Sequence, residues 1–226
     1  MPIRARKIRS FNVPVQEITL RVTAPEDLYE EARAAGMHFW EQVEAYGIRN
    51  PLFRTSKRRL FVTEDAPEPV RDMASGAAEA GVGPMYTFHG ALAEYVGRHL
   101  APASPNIMVA NGGHYFVIAR RRAKLPVQME EEAEPLSIVV RPELGPHGIY
   151  TSLGRARTER GEPGGLVVVA RSCILADAAA TAARGILNKD GLAEALAFLQ
   201  GVDGVFGGLV VRGRDIGVAG GLELAA

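Results

Sequence analysis

At Pro102 the apolar residues of this chain change their period. Before it, Leu28, Ala32, Ala35, Phe39, Val43 and Tyr46 recur at spacings of three and four. Met85, Phe88, Leu92 and Val96 do the same, which predicts helices that bury one face. After it come short β-rich runs closed by glycine. Ile107–Ala110 and Tyr115–Ile118 flank Asn111-Gly112-Gly113, a hairpin signature in which glycine supplies positive φ. Strands are predicted at Leu136–Val140, Ile149–Ser152 and Leu166–Ala170, helices at Ala176–Leu187 and Gly191–Gln200, and a last hairpin from Gly208–Val211 to Ile216–Ala219. Helices, then hairpins, then helices again, without regular βαβ alternation, indicate an α+β fold: a mixed, largely antiparallel sheet packed with helices, in one domain spanning 1–226.

Nearer the N-terminus, Ile18, Leu20 and Val22 alternate with Thr19 and Arg21, as in a half-buried strand. Thr23 and Glu26 are spaced as a capping box, which predicts that a helix starts behind Thr23. The stretch from Asn50 to Pro69 reads as irregular, with a solvated basic cluster at Lys57-Arg58-Arg59. A small-residue helix from Pro69 to Ala80 stops at Gly81-Val82-Gly83, and a longer one is predicted from Pro84 to Leu100. Ala74, Ala77, Gly90 and Ala91 would let helix backbones approach closely.

Lys plus Arg (26) equals Asp plus Glu (26), so no bulk charge draws the chain to nucleic acid or anionic lipid. No stretch reaches the roughly 18 apolar residues of a membrane helix, and the basic start Met1–Arg9 has no apolar run behind it, so an edge strand or packed arm is the expectation there rather than a signal peptide. A lone cysteine, Cys173, flanked by Ile174 and Leu175, reads as a buried structural thiol in a reducing compartment. The expectation is a cytoplasmic protein whose partner is a small molecule, with no nucleic acid and no membrane; the oligomeric state is not encoded in any visible pattern.

The residues with chemical potential are few. Asp177 and Thr181 are four apart and share a helix face, and a carboxylate with a hydroxyl suits Mg²⁺ when water and phosphate complete the shell. The same pair also reads as a helix cap and a small interior residue. Asn111-Gly112-Gly113 is explained by turn chemistry alone, and Thr151 and Ser152 are either strand-end hydrogen bonders or phosphate-facing hydroxyls. His89 shares a face with Met85 and Leu92 and reads as a core histidine.

Four segments in order are similar to an uncharacterised ApbE-like family, distantly related to the FAD:protein FMN transferases (ApbE). They are Gly81-Val-Gly-Pro-Met85 running into Gly90-Ala-Leu-Ala-Glu94, then Val109-Ala-Asn111-Gly112-Gly113, then Tyr150-Thr151-Ser152, and finally Leu175-Ala-Asp177-Ala-Ala-Ala-Thr181-Ala182. Asn50-Pro51-Leu-Phe53 also fits. The resemblance implies an ApbE-like fold, a cleft for FAD or another nucleotide-type ligand bordered by Asn111, Gly112, Gly113, Thr151 and Ser152, and magnesium on Asp177 and Thr181.

The match departs from the transferases at three places. His114 stands where they carry an acid after Gly-Gly, Leu153 follows Thr151-Ser152 in place of glycine, and Arg155 to Gly165 holds neither histidine nor aspartate. Arg155, Arg157 and Arg160 put positive charge there instead, as ligand-facing or ordinary loop arginines. Two functions follow from the resemblance: a Mg²⁺-dependent flavin or nucleotidyl transferase, or a non-catalytic protein that binds a flavin, nucleotide or pterin-like coenzyme and has lost the transferase residues.

Overall fold

The computed structural model describes residues 8–127, 136–153, 156–157 and 163–225. The chain opens with the hairpin β1 (Arg9–Val15) and β2 (Ile18–Ala24), followed by α1 (Tyr29–Arg49), α2 (Pro51–Thr55) and α3 (Glu68–Glu79). After a 3-10 turn at Pro84–Thr87 comes α4 (Phe88–Leu100). The β-rich part holds β3 (Ile107–Asn111), β4 (His114–Ile118), β5 (Ala123–Val127), β6 (Leu136–Val140), β7 (His147–Thr151), β8 (Ala156–Arg157) and β9 (Pro163–Ala170). Two helices, α5 (Cys173–Lys189) and α6 (Leu192–Gly201), precede β10 (Val205–Arg212), β11 (Asp215–Gly220) and β12 (Leu224–Ala225).

Among the described residues nine strands form one sheet in the order β1-β2-β3-β4-β7-β9-β10-β11, with β8 beside β9, and β12-β6-β5 form a second. Neighbouring strands pair antiparallel, as the sequence predicts for an α+β chain. Helices cover one face of the large sheet. Val13, Leu20, Val22 and Val109 pack under α1, α3 and α4, and Leu166, Val168, Ala170 and Val210 pack under α5 and α6. The small sheet covers the other face, where Val167, Val169, Leu209 and Val211 meet Leu125, Ile138 and Val140. Strand β9 is therefore buried on both faces, which is why 166–170 is a continuous apolar run instead of an alternating one.

Helices α4 and α5 carry much of the architecture. Ser172 caps α5, its hydroxyl accepting the Leu175 N–H at 3.0 Å. Glu94, reaching over from α4, accepts the Cys173 and Ile174 N–H groups at 2.7 and 3.2 Å. The start of α5 crosses β7 at Gly148, where an added Cβ would lie 2.2 Å from Cys173 Cα. Cys173 itself is fully buried, and burial pushes its thiol well up, in keeping with a structural role. No helix among the described residues is long and apolar enough to cross a membrane.

Several local expectations are corrected. The capping box does not form: Thr23 stays in β2, paired with Ser10 and hydrogen-bonded to its hydroxyl at 2.8 Å, and α1 starts only at Tyr29 with no side-chain cap. Strand pairing gives Thr23 more partners than a cap would. The irregular stretch after Asn50 contains α2, which opens on Pro51 and buries Phe53. The long helix expected from Pro84 is broken by the 3-10 turn, closed by the buried Thr87 hydroxyl donating to Pro84 O at 2.7 Å, so Met85 is only half-buried. The edge strand or packed arm expected over Met1–Arg9 falls almost wholly on residues 1–7, which lie outside the described residues, as does Glu130-Glu-Glu132; β1, at the edge of the large sheet, begins at Arg9. Arg122, on the partner side of that expected connection, pairs with Glu143 and Glu223.

Candidate functional site

The β3–β4 hairpin turns on two residues, with Asn111 opposite His114 and Gly112 at φ +61°. Space beyond Gly112 is open, whereas Gly113 lies against the Thr151 carbonyl, where a Cβ would sit 2.1 Å from the oxygen. The Thr151 N–H donates to Gly113 O at 2.8 Å, fastening the turn to the end of β7.

Two histidines meet at this turn. His114 is held by both ring nitrogens: Nδ1 lies 2.9 Å from Asn111 O and Nε2 lies 3.0 Å from Asp177 Oδ1. A carbonyl and a carboxylate only accept, so both nitrogens carry protons and the ring is an imidazolium. Burial opposes that charge, but the Asp177 hydrogen bond and charge, with the Asn111 carbonyl, hold His114 above the usual histidine range. His89 stacks on it at 5.5 Å and 21°. The buried Asn111 amide donates to His89 O and to His89 Nδ1, both at 3.2 Å, so Nδ1 is an acceptor and His89 is neutral. His89 is exposed and is not the core histidine its spacing suggests; desolvation of its ring on the packed side, then the neighbouring His114 charge, lowers its pKa.

Asp177 is buried and is the fifth residue of α5, so it does not cap its own helix. Its Oδ2 instead accepts the Gly90 N–H at 3.1 Å, one of the unpaired donors in the first turn of α4, which no side chain of its own caps. One turn along the same face stands Thr181, half-buried, and three residues further Arg184, whose guanidinium donates to Tyr150 Oη at 2.5 Å. The Tyr150 ring in turn packs edge-on against His114 at 5.0 Å. Among the described residues no carboxylate pairs with Arg184.

Contacts around His114 thus bring Asn111, Gly113, Thr151 and Asp177, widely separated in sequence, to one place, with Gly112 in the same turn and Thr181 one helical turn along α5. Ser152 is engaged elsewhere. It is buried, its hydroxyl accepts the Leu166 N–H at 3.1 Å and its own N–H donates to Leu166 O, so it continues the β7–β9 ladder. Arg155 and Arg160 lie outside the described residues, and Arg157 is described only as a backbone position in β8. A Mg²⁺ ion on Asp177 and Thr181 would have to share the carboxylate with two donors already on it, one on each oxygen and one of them cationic. His89, Tyr150 and Arg184 were not singled out as site residues by the sequence reading. For Arg184 a signal existed, since it follows Asp177 by seven and Thr181 by three on one helix face.

The two histidines should titrate in opposite directions, His114 above and His89 below the free value of about 6.5. His114's contribution to stability is therefore complete below about pH 6.5 and is lost as the pH rises through its folded pKa; that of His89 is present above about pH 6.5 and is lost as the pH falls through its folded pKa. Histidine NMR titration of the wild type and of His114→Asn assigns the two curves. The reverse order would overturn the protonation scheme.

Residues 3–195 match the family described as AbpE bacteria. A UPF0280 protein of Methanopyrus kandleri is 32% identical over 222 residues, covering 93% of this chain and 90% of that protein. A UPF0280 protein of Archaeoglobus fulgidus is 28% identical over 230 residues, with 97% and 95% covered. Among solved structures, the flavinyl transferase ApbE of Pseudomonas stutzeri in its apo form superposes with a TM-score of 0.63 at 14% identity, covering 97% of this chain and 96% of its own. The ApbE protein of Thermotoga maritima gives 0.62 at 11% identity, covering 94% and 97%. The chain shares their fold.

Proposed function

Because this chain belongs to the AbpE bacteria family and has the ApbE fold, we propose that it binds a flavin or related nucleotide-type coenzyme without transferring it. The ligand would sit in the cleft between the Asn111–Gly113 turn, Thr151 and the Asp177–Thr181–Arg184 face of α5. One observation carries the non-catalytic reading: the Asp177 carboxylate holds the His114 imidazolium and the Gly90 N–H, where a transferase would need it for a cation.

The groups that remain suit binding. Arg184 has N–H donors beyond the one spent on Tyr150, and a guanidinium forms charge-assisted, bidentate contacts with phosphate. Thr181 makes no hydrogen bond among the described residues, so its hydroxyl is available one turn away. His114, with both nitrogens engaged, contributes charge rather than a hydrogen bond. The cations His114 and Arg184 would hold a ligand phosphate without a divalent ion.

Calorimetric titration with FAD, FMN and ADP is expected to give the same affinity with Mg²⁺ and with a chelator, and Arg184→Gln to weaken binding about tenfold, the loss of one charged hydrogen bond at about 1.4 kcal/mol. His114→Asp should create what the wild type lacks. With two carboxylates facing each other above Thr181, the variant should bind Mn²⁺ measurably by paramagnetic relaxation where wild type and His114→Asn do not. Nucleotide binding by wild type that requires Mg²⁺, or covalent flavin on an acceptor peptide, would refute the proposal.

A further inference from the structure

His89 has a second side. Away from His114 it lines a cavity of about 320 Å³ together with Ile18, Trp40, Met85 and Phe88. That volume is at the lower end of the roughly 300–1,000 Å³ typical of small-molecule sites, enough for a ring system rather than a whole dinucleotide. The aromatic wall is fixed by its own packing. Phe88 stands edge-on to Trp40 at 5.2 Å and to His89 at 5.7 Å, and Phe39 buttresses it from the core at 5.5 Å. Trp40, Met85 and Phe88 are each only half-buried, so apolar and polarisable surface faces the space.

The rim is polar. Glu17 and Glu44 offer carboxylates and Arg54 a guanidinium. Glu17 is carried by the two-residue β1–β2 turn, in which Gln16 adopts the positive φ, +51°, that such hairpin turns use. A second cavity, about 490 Å³, lies between residues 59–64 and α3, but it shares no residue with the His89–His114–Asp177 group.

We propose that the Trp40–Met85–Phe88–His89 cavity seats the planar nitrogen heteroaromatic ring of the coenzyme, with ring N–H or amino donors facing Glu17 and Glu44. The inference rests on the coenzyme-binding reading above and adds to it where the ring lies and what it presents. His89 is the shared wall, so the remainder of the ligand passes it toward the turn and Arg184. Stacking on aromatic faces supplies affinity, and the acceptor carboxylates select rings that carry donors over purely carbonyl ones.

Trp40 is the one tryptophan of the chain, and its ring lines this cavity. FMN, riboflavin and ADP serve as probes, with binding measured independently by equilibrium dialysis. The expected result is saturable quenching of Trp40 emission by FMN at the concentrations at which dialysis shows binding. Met85→Gln, which leaves Trp40 in place, should weaken FMN at least tenfold, and Trp40→Phe, which keeps an aromatic wall, should weaken it less than Trp40→Ala. If FMN or ADP binds by dialysis while Trp40 emission is unmoved and Met85→Gln binds like wild type, the ring lies elsewhere; the inference falls and coenzyme binding stands. If none of the probes binds, coenzyme binding itself is overturned and this inference with it.

Discussion

Gly148→Ala is expected to leave no folded protein to assay. The new methyl would stand 2.2 Å from both Cα and N of Cys173 and 2.4 Å from the Ser172 carbonyl carbon. These are backbone atoms of the cap and first turn of α5, so no side chain can swing aside. Relief requires α5 to lift from β7, which would part the buried face of Cys173, Leu175 and Ala176 from the sheet. Overpacking ordinarily costs about 1–3 kcal/mol; displacing a central helix exceeds that and approaches the whole stability of a domain, about 5–15 kcal/mol. Soluble yield and circular dichroism measure the outcome. Gly185→Ala, on the exposed side of the same helix with nothing near its would-be Cβ, is the control and should gain about 0.5–1 kcal/mol. A Gly148→Ala protein that melts like wild type would contradict the described crossing of α5 over β7.

The second large effect belongs to Glu94. Its replacement by alanine strips the Cys173 and Ile174 N–H groups of their acceptor inside the protein, where water does not reach them. An unsatisfied buried donor costs about 1–3 kcal/mol, so a loss on the order of 3 kcal/mol is expected for the pair. Glu94→Gln keeps an acceptor oxygen in place. It also removes a charge that burial already disfavours, since burial above all holds Glu94 above the usual carboxylate range. Glutamine should therefore retain more than half of the lost stability. Denaturant unfolding of the three proteins decides it, and equal destabilisation by alanine and glutamine would show that charge, not the acceptor, holds α5.

Much of the fold was legible because periodicity reports burial directly. The 3.6-residue repeat from Leu28 to Val43 became α1, Asn111-Gly112-Gly113 became a two-residue turn, and the unbroken apolar run in β9 reflects two covered faces. Boundaries failed where a tertiary partner outbid a local signal, as Ser10 did for Thr23. The candidate site was half legible. Asp177 and Asn111 were named, yet their partners are 63 and 22 residues away in sequence, at His114 and His89, and no local pattern announces such contacts. Reading His114 only as a missing acid overlooked that a histidine can face an aspartate instead of replacing one. Reading His89 as core overlooked that the 3-10 turn at Pro84–Thr87 sets the start of α4, where His89 stands between the turn and the Trp40 cavity.

Helices α4 and α5 trade acids: Glu94 serves the first turn of α5, and Asp177 serves the first turn of α4. A chain built on this plan would lose a helix start by discarding the aspartate, whatever its cleft does. The aspartate of an Ala-Asp-Ala segment in such a chain is thus a mark of ancestry and assembly, and it says nothing by itself about turnover. The other carboxylate oxygen is free of that duty in the assembly, and here it faces His114.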